Sequence, residues 1–126
     1  MIKYSLEPYP RVLYVDILSD ESKKNIINKF YTINGENINP EEFNNYAAGV
    51  IRVIHKKTQN YGYVVVFRPE NINISNISHE AYHVADVVSE DVGLEYAFNS
   101  GNEHIAYLVG HIAHLIDKGL KRLMKE

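Results

Sequence analysis

The chain has 126 residues, of which 45% are hydrophobic and 23% charged, and it contains no cysteine. This length predicts one domain spanning residues 1–126, and the composition is typical of a globular protein. The net charge of −3 provides no positive surface for nucleic acid or for an anionic membrane, so neither is expected as a partner. The missing cysteine excludes disulfides, thiolate zinc sites and a catalytic thiol.

Two features of the sequence bear on where the protein works. Pro8 and Pro10 interrupt the N-terminal segment before any apolar run reaches signal-peptide length. No stretch approaches the roughly 18 consecutive apolar residues that indicate a transmembrane helix. The sequence therefore predicts a soluble, cytoplasmic protein. Its many Asn and Ile residues are typical of chains from AT-rich bacterial or phage genomes.

The first half of the chain has the pattern of strands around one helix. Residues 11–18 are rich in β-branched and aromatic side chains and predict a strand. Ser19 then begins a helix of roughly ten residues, and residues 34–39 predict a loop. Residues 49–56 and 61–68 alternate as two strands of a hairpin. With two helices expected beyond Pro69, the fold class is α+β, with helices on one side of a small antiparallel or mixed sheet.

The two late helices are predicted at about residues 75–91 and 101–125. Their apolar stripes comprise Ile77, Ala81, Val84, Val88 and Val92 in the first, and Ile105, Leu108, Val109, Ile112, Leu115, Ile116 and Leu123 in the second. The opposite faces carry His79, His83, Asp86 and Glu90, and then Glu103, Tyr107, Gly110, His111 and His114. After Glu103, the first three turns of the second helix offer none of the long helix-forming residues that are typical of a solvated surface. We therefore expect the two polar faces to meet across a cleft, where Ala106, Gly110 and Ala113 allow close approach.

The first of these polar faces contains an HExxH motif, His79-Glu80-Ala81-Tyr82-His83. Histidines at positions i and i+4 lie on one face of a helix, so both imidazoles can bind one zinc ion. The intervening Glu80 is placed to hold a zinc-bound water and to take its proton. The motif therefore predicts a zinc site whose base is Glu80.

An open catalytic zinc site needs a third protein ligand, and Glu103 is the first candidate. It lies twenty residues beyond His83, after a connection whose glycines allow the second helix to fold back. Asp86 and Glu90 share the histidine face and are the rival candidates. They are less suited because three ligands from one helix fit tetrahedral zinc poorly.

Residues 75–114 resemble the gluzincin branch of the zincin metallopeptidases, the thermolysin-like group. In that family an HExxH helix supplies two histidine ligands and the base, and a following helix supplies a glutamate ligand. The chain is also similar to short zincin-like proteins of bacteria and phages, in which a phrase like HEAYHVAD precedes one like NEHIAYLVG. The resemblance implies a minimal zincin-like fold with His79, His83 and Glu103 as zinc ligands and Glu80 as catalytic base.

One departure from the family pattern affects the supporting residues. The thermolysin-like pattern has an aspartate four residues beyond the ligand glutamate, where it orients a ligand histidine, and this chain has Tyr107 there. Asp86 or Glu90 would have to orient the histidine instead. Stabilisation of the developing oxyanion is assigned to Tyr107 and His114, which share the face of Glu103, with His104 and His111 as further candidates.

Together these residues predict a zinc metallopeptidase that hydrolyses a peptide or protein substrate, which an open sheet edge near the motif could hold as an added strand. The alternative is a non-catalytic binding or regulatory module stabilised by the metal. The short chain and the missing aspartate favour this alternative. The presence of Glu80 counts against it, because a purely structural metal site has no use for a base.

Overall fold

The computed structural model describes residues 1–45, 47–95 and 101–126. Five strands form one sheet, and three helices pack on it. The strands are β1 (Ile2–Ser5), β2 (Val12–Ile17), β3 (Phe30–Thr32), β4 (Ala48–His55) and β5 (Tyr61–Phe67). The helices are α1 (Asp20–Lys29), α2 (Ile74–Val92) and α3 (Glu103–Met124), with short 3-10 turns at Pro40–Phe43 and Pro69–Asn71. The protein is therefore α+β, as predicted.

The sheet is mixed, with strand order β1-β2-β5-β4-β3. Its central pair, β2 and β5, is parallel, and every other neighbouring pair is antiparallel. The predicted hairpin is confirmed as β4 and β5, and the strand predicted at residues 11–18 is β2. The predictions omitted β1 and β3. The three residues of β3 follow α1 directly, so no glycine or proline marks the change from helix to strand.

Each face of the sheet covers its own hydrophobic core. Side chains of β2 and β5 alternate between the two cores, so that Val65 packs with α2 and α3 while Val64 packs on the side of α1. The expectation that the helices lie on one side of the sheet is therefore wrong. The reason is the order of elements, because α1 follows β2 and covers the face that the two late helices leave free.

The two late helices lie close to their predicted bounds, and most of the predicted stripes are buried. Val92, Val109 and Leu123 are the members that are only partly buried. Close approach on α3 occurs at Gly119, where an added Cβ would lie 3.2 Å from Val15 of the sheet. At Gly110 an added Cβ would meet no atom within 4 Å, so the predicted close approach there is wrong. None of the described helices combines the length and hydropathy needed to cross a membrane.

Gly62 is the glycine on which the parallel pairing of β2 and β5 depends. A Cβ at this position would lie 2.3 Å from the carbonyl oxygen of Val12 and 2.9 Å from the ring of Tyr14. We expect Gly62→Ala to lower the free energy of unfolding by about 3 kcal/mol, because backbone atoms of a central strand must move. Urea denaturation measures this. The matched control is Gly110→Ala, which we expect to stabilise α3 slightly. Equal stability of Gly62→Ala and the wild type would contradict the close contact.

Candidate metal centre

Helix α2 carries the HExxH motif in its second turn, and both ends of the helix are defined by its sequence. Asn73 is the N-cap, and its side chain accepts a hydrogen bond of 2.8 Å from the amide of Asn76. At the other end Gly93 has φ of 77°, the left-handed conformation that favours glycine, and its amide donates to the carbonyl of Ser89. The helix therefore extends about two turns beyond the motif.

His79 and His83 lie one helical turn apart, and both side chains are exposed. Their rings are 4.6 Å apart between centroids, and the two Nε2 atoms are 3.0 Å apart. Two Nε2 atoms bound to one tetrahedral zinc at its usual bond lengths would be separated by about 3.3 Å. The imidazoles therefore already hold nearly the Nε2–Nε2 separation that one metal ion requires.

Glu80 lies beside this pair but is buried, with 4% of its surface exposed. Its carboxylate and the two imidazoles form a group in which the potential ligand atoms all lie within 4.8 Å of one another. Its Oε2 atom has no hydrogen-bond partner. Burial raises the pKa of the Glu80 carboxyl, and the neighbouring His79 and His83 lower it. Burying a carboxylate oxygen without a hydrogen-bond partner costs free energy of folding. The position of this oxygen therefore calls for a functional explanation.

This donor set fits a metal ion of the zinc type. Two imidazole nitrogens are ligands that zinc binds readily, and a nearby carboxylate either completes the set or accepts a proton from a bound water. Within the described residues this is the single group of three or more His, Asp and Glu side chains with ligand spacing. The HExxH motif of the sequence therefore corresponds to a clustered set of side chains in the fold.

Glu103, the predicted third ligand, is the exposed first residue of α3 and does not belong to this group. Ser78 of α2 and His114 of α3 line one cavity further along the helix pair, and Glu103 is not among the residues that line it. The role of Glu103 as a ligand stays a prediction.

Asp86 and Glu90, the rival third ligands, also lie outside the group. Asp86 is half-buried on the next turn after His83. Glu90 is 70% exposed, and its Oε2 accepts a hydrogen bond of 2.8 Å from the guanidinium of Arg52. This bond directs the Glu90 carboxylate towards β4.

The residues predicted to stabilise an oxyanion lie outside the group as well. Tyr107 is 76% exposed on α3, and His111 is also exposed. His114 lines the cavity of about 580 Å³ that it shares with Ser78. His104 has its Nε2 3.0 Å from the carbonyl oxygen of Glu95. The polar faces of the two helices are exposed, and the predicted cleft that would bring them to the motif is not found among the described residues.

Glu90 connects α2 to β4 through its hydrogen bond with Arg52. Glu90 lies seven residues, or two turns, beyond His83, so the two share one flank of the helix. Next to Glu90, Asp91 lies 3.8 Å from the guanidinium of Arg52 and accepts a hydrogen bond of 2.6 Å from the hydroxyl of buried Tyr63. These contacts fix the helix above β4 and β5. The sequence patterns did not reveal this, because Arg52 looks like an ordinary polar residue of an alternating strand.

Strand β4 has an open edge over part of its length. Its neighbour β3 pairs only with residues 53–55. The Arg68 amide donates to the carbonyl of Ala47, and the His55 amide donates to the carbonyl of Asn60. Because backbone groups alternate in direction along a strand, the amides and carbonyls of the odd-numbered residues of β4 point towards β5. The backbone groups of Ala48 and Val50 therefore point outwards. No hydrogen bond from the described part of the chain reaches them on that side.

Comparison of the chain with known protein families, with curated proteins and with solved structures gives no match. The HExxH group alone does not establish a zincin. The resemblance to the gluzincins therefore stays a prediction.

Proposed function

We propose that the protein is a zinc-dependent hydrolase that cleaves peptide bonds. The observation that carries this proposal is the carboxylate of Glu80, which is buried with an unpartnered oxygen beside two imidazoles in ligand geometry. A surface histidine pair has no need of a buried acid next to it. A base that takes a proton from a metal-bound water would account for a buried carboxylate at this position.

His79 and His83 would hold the metal, with the third ligand supplied by Glu103 as the family resemblance implies. Bound zinc would supply Lewis acidity, which polarises a carbonyl group and makes a water molecule acidic near neutral pH. For Glu103 to bind the same ion, the first turn of α3 would have to bring it closer to the histidine pair, because Glu103 lies outside the ligand group.

Glu80 would perform the proton transfers. Its carboxylate takes a proton from the attacking water while the water oxygen bonds to the substrate carbonyl carbon. It then gives this proton to the amide nitrogen as the carbon–nitrogen bond breaks, so that a carboxylic acid and an amine leave. Partial exclusion of water around Glu80 favours this role, because a buried carboxylate holds a proton more readily than an exposed one.

The open edge of β4 supports a peptide as the substrate. The outward backbone groups of Ala48 and Val50 can pair with an extended chain, which is a common way for proteins to hold peptides. Arg52 at the end of this stretch is bonded to Glu90, on the flank of α2 that also carries His83. A chain added to β4 would therefore lie near Glu90, two helical turns from His83.

The second candidate function is a non-catalytic module that the metal stabilises. It is favoured by the exposure of His79 and His83 and by the absence of Glu103 from the ligand group. A site of this kind would hold a metal with two histidines and a carboxylate for structural reasons alone.

Cleavage of a defined peptide mixture separates the two functions. We expect zinc-loaded wild-type protein to cleave peptides, as detected by mass spectrometry, and Glu80→Gln to retain the metal but lose cleavage by a factor of about 100 or more. The matched control is Glu90→Gln, which changes an exposed carboxylate on the same flank. Cleavage at an equal rate by Glu80→Gln would reject the proposed base. A zinc-loaded wild type that cleaves nothing in the mixture would favour the non-catalytic module.

A further inference from the structure

A recess opens on the face of the sheet that α1 covers, and residues of β1, β2 and the end of β4 line it. It consists of two adjoining cavities of about 250 and 270 Å³, which share Lys3, Tyr14 and His55 as lining residues. Tyr14 and Phe30 belong to the core on the α1 side, whereas α2 packs on the other face. The recess is therefore separate from the proposed metal centre.

Positive charge dominates this recess. Lys3 lines both cavities and Lys29 lines one of them, and their lining residues include no Asp or Glu. Burial lowers the pKa of His55, and the charges of Lys29, Lys3 and Lys57 lower it further. Two lysines therefore line one small volume, although the whole chain has a net charge of −3.

Neutral hydrogen-bond donors complete the lining of the recess. The ring Nδ1 of His55 accepts hydrogen bonds from the amides of Lys57 and Thr58, at 3.1 and 3.3 Å. In the neutral ring the proton is then on Nε2, which is a donor. Ser5, Thr58 and Asn60 add hydroxyl and amide groups to the wall of the cavity of about 250 Å³, which Tyr14 also lines.

We propose that this recess binds the phosphate group of a small phosphorylated molecule. Phosphate is the common biological anion that needs several cations and several neutral donors at once, and ammonium groups bind it as point charges. The aromatic rings of Tyr14, Phe30 and His55 pack against one another, with centroid distances of 4.7 Å and 5.2 Å from Phe30 to its two neighbours. Phe30 is fully buried and Tyr14 is 5% exposed, so these rings fix the position of the His55 ring at the wall of the recess.

The test is a titration of the full chain with inorganic pyrophosphate at low ionic strength, followed by two-dimensional NMR. We expect saturable shifts at the amides of Ser5, Thr58 and Asn60 and at the His55 ring. Lys3→Gln and Lys29→Gln should each weaken binding about fivefold, as expected for loss of one partly exposed charge. Both lysines are exposed, so these variants should fold normally.

The matched control is Lys118→Gln, which removes an exposed lysine of α3 and should leave the affinity unchanged. Equal weakening by Lys118→Gln would show that pyrophosphate binds by general charge attraction and would overturn the proposal. Shifts that do not saturate, or that are absent from the recess, would overturn it too. Binding of pyrophosphate by Lys3→Gln with wild-type affinity would show that the cation-lined recess is not the site.

Discussion

Replacing His79 or His83 by alanine is expected to abolish the stabilisation of this protein by zinc. A ligand that binds only the folded state stabilises it by about 2.7 kcal/mol when its free concentration is 100 times the dissociation constant. For a chain of this size that corresponds to a rise in melting temperature of roughly 10 °C. The rise should occur for the wild type and disappear in each variant, because one imidazole cannot hold the ion with useful affinity. Thermal unfolding with and without zinc measures this.

The controls for this result are His111→Ala and His114→Ala, which remove exposed histidines of α3 that lie outside the ligand group. Both should keep the full rise in melting temperature. An undiminished rise in His83→Ala would contradict the assignment of the metal to α2. Loss of the rise in His114→Ala would move the metal towards the cavity between α2 and α3.

Replacing Glu80 by methionine is expected to stabilise the metal-free protein while removing its activity. The carboxylate is buried with one oxygen unpartnered, and methionine fills a similar volume without a charge or an unsatisfied acceptor. We expect the free energy of unfolding to rise by about 1–2 kcal/mol in urea denaturation without metal. A gain in stability with a loss of function is the result typical of a residue kept for catalysis.

Glu90→Met is the matched control for this substitution. Glu90 is exposed and bonded to Arg52, so its loss should change stability by less than about 1 kcal/mol and should not stabilise the protein. A large loss of stability in Glu80→Met would contradict the proposed role. It would mean that the Glu80 carboxylate serves the fold, as in a purely structural site.

The helical half of the fold could be predicted because its signals are local. Apolar spacing defines α2 and α3, and Asn73 and Gly93 mark the ends of α2 within one residue of their predicted places. The hairpin of β4 and β5 is also a local pattern. The central pairing of β2 with β5 is not local, since it joins segments separated by α1, β3 and β4, and only tertiary packing determines it.

In the candidate site, too, the local features could be predicted from the sequence and the features that depend on tertiary packing could not. The i, i+4 spacing of His79 and His83 guarantees one helix face, so their pairing could be predicted from the motif. The burial of Glu80 depends on which other elements cover its side of α2. The spacing of residues within one helix does not give this information. The position of Glu103 depends on the register between α2 and α3. The sequence separation of twenty residues between His83 and Glu103 does not determine that register, because the register also depends on how far α2 continues beyond the motif.

The connection between α2 and α3 bears directly on the third ligand. Residues 96–100 of this connection lie outside the described residues, and the first turn of α3 follows them closely. If Glu103 is a ligand, Glu103→Ala should lower zinc affinity by one or more orders of magnitude while leaving His79 and His83 as a weak site.

Elemental analysis of the protein, purified without added metal, tests the central claim most directly. The proposal predicts close to one zinc ion per chain in the wild type and a clear loss in Glu103→Ala. Equal zinc in Glu103→Ala would transfer the role of third ligand to Asp86 or Glu90. Wild-type protein without stoichiometric zinc would contradict both the ligand set and the hydrolytic mechanism built on Glu80.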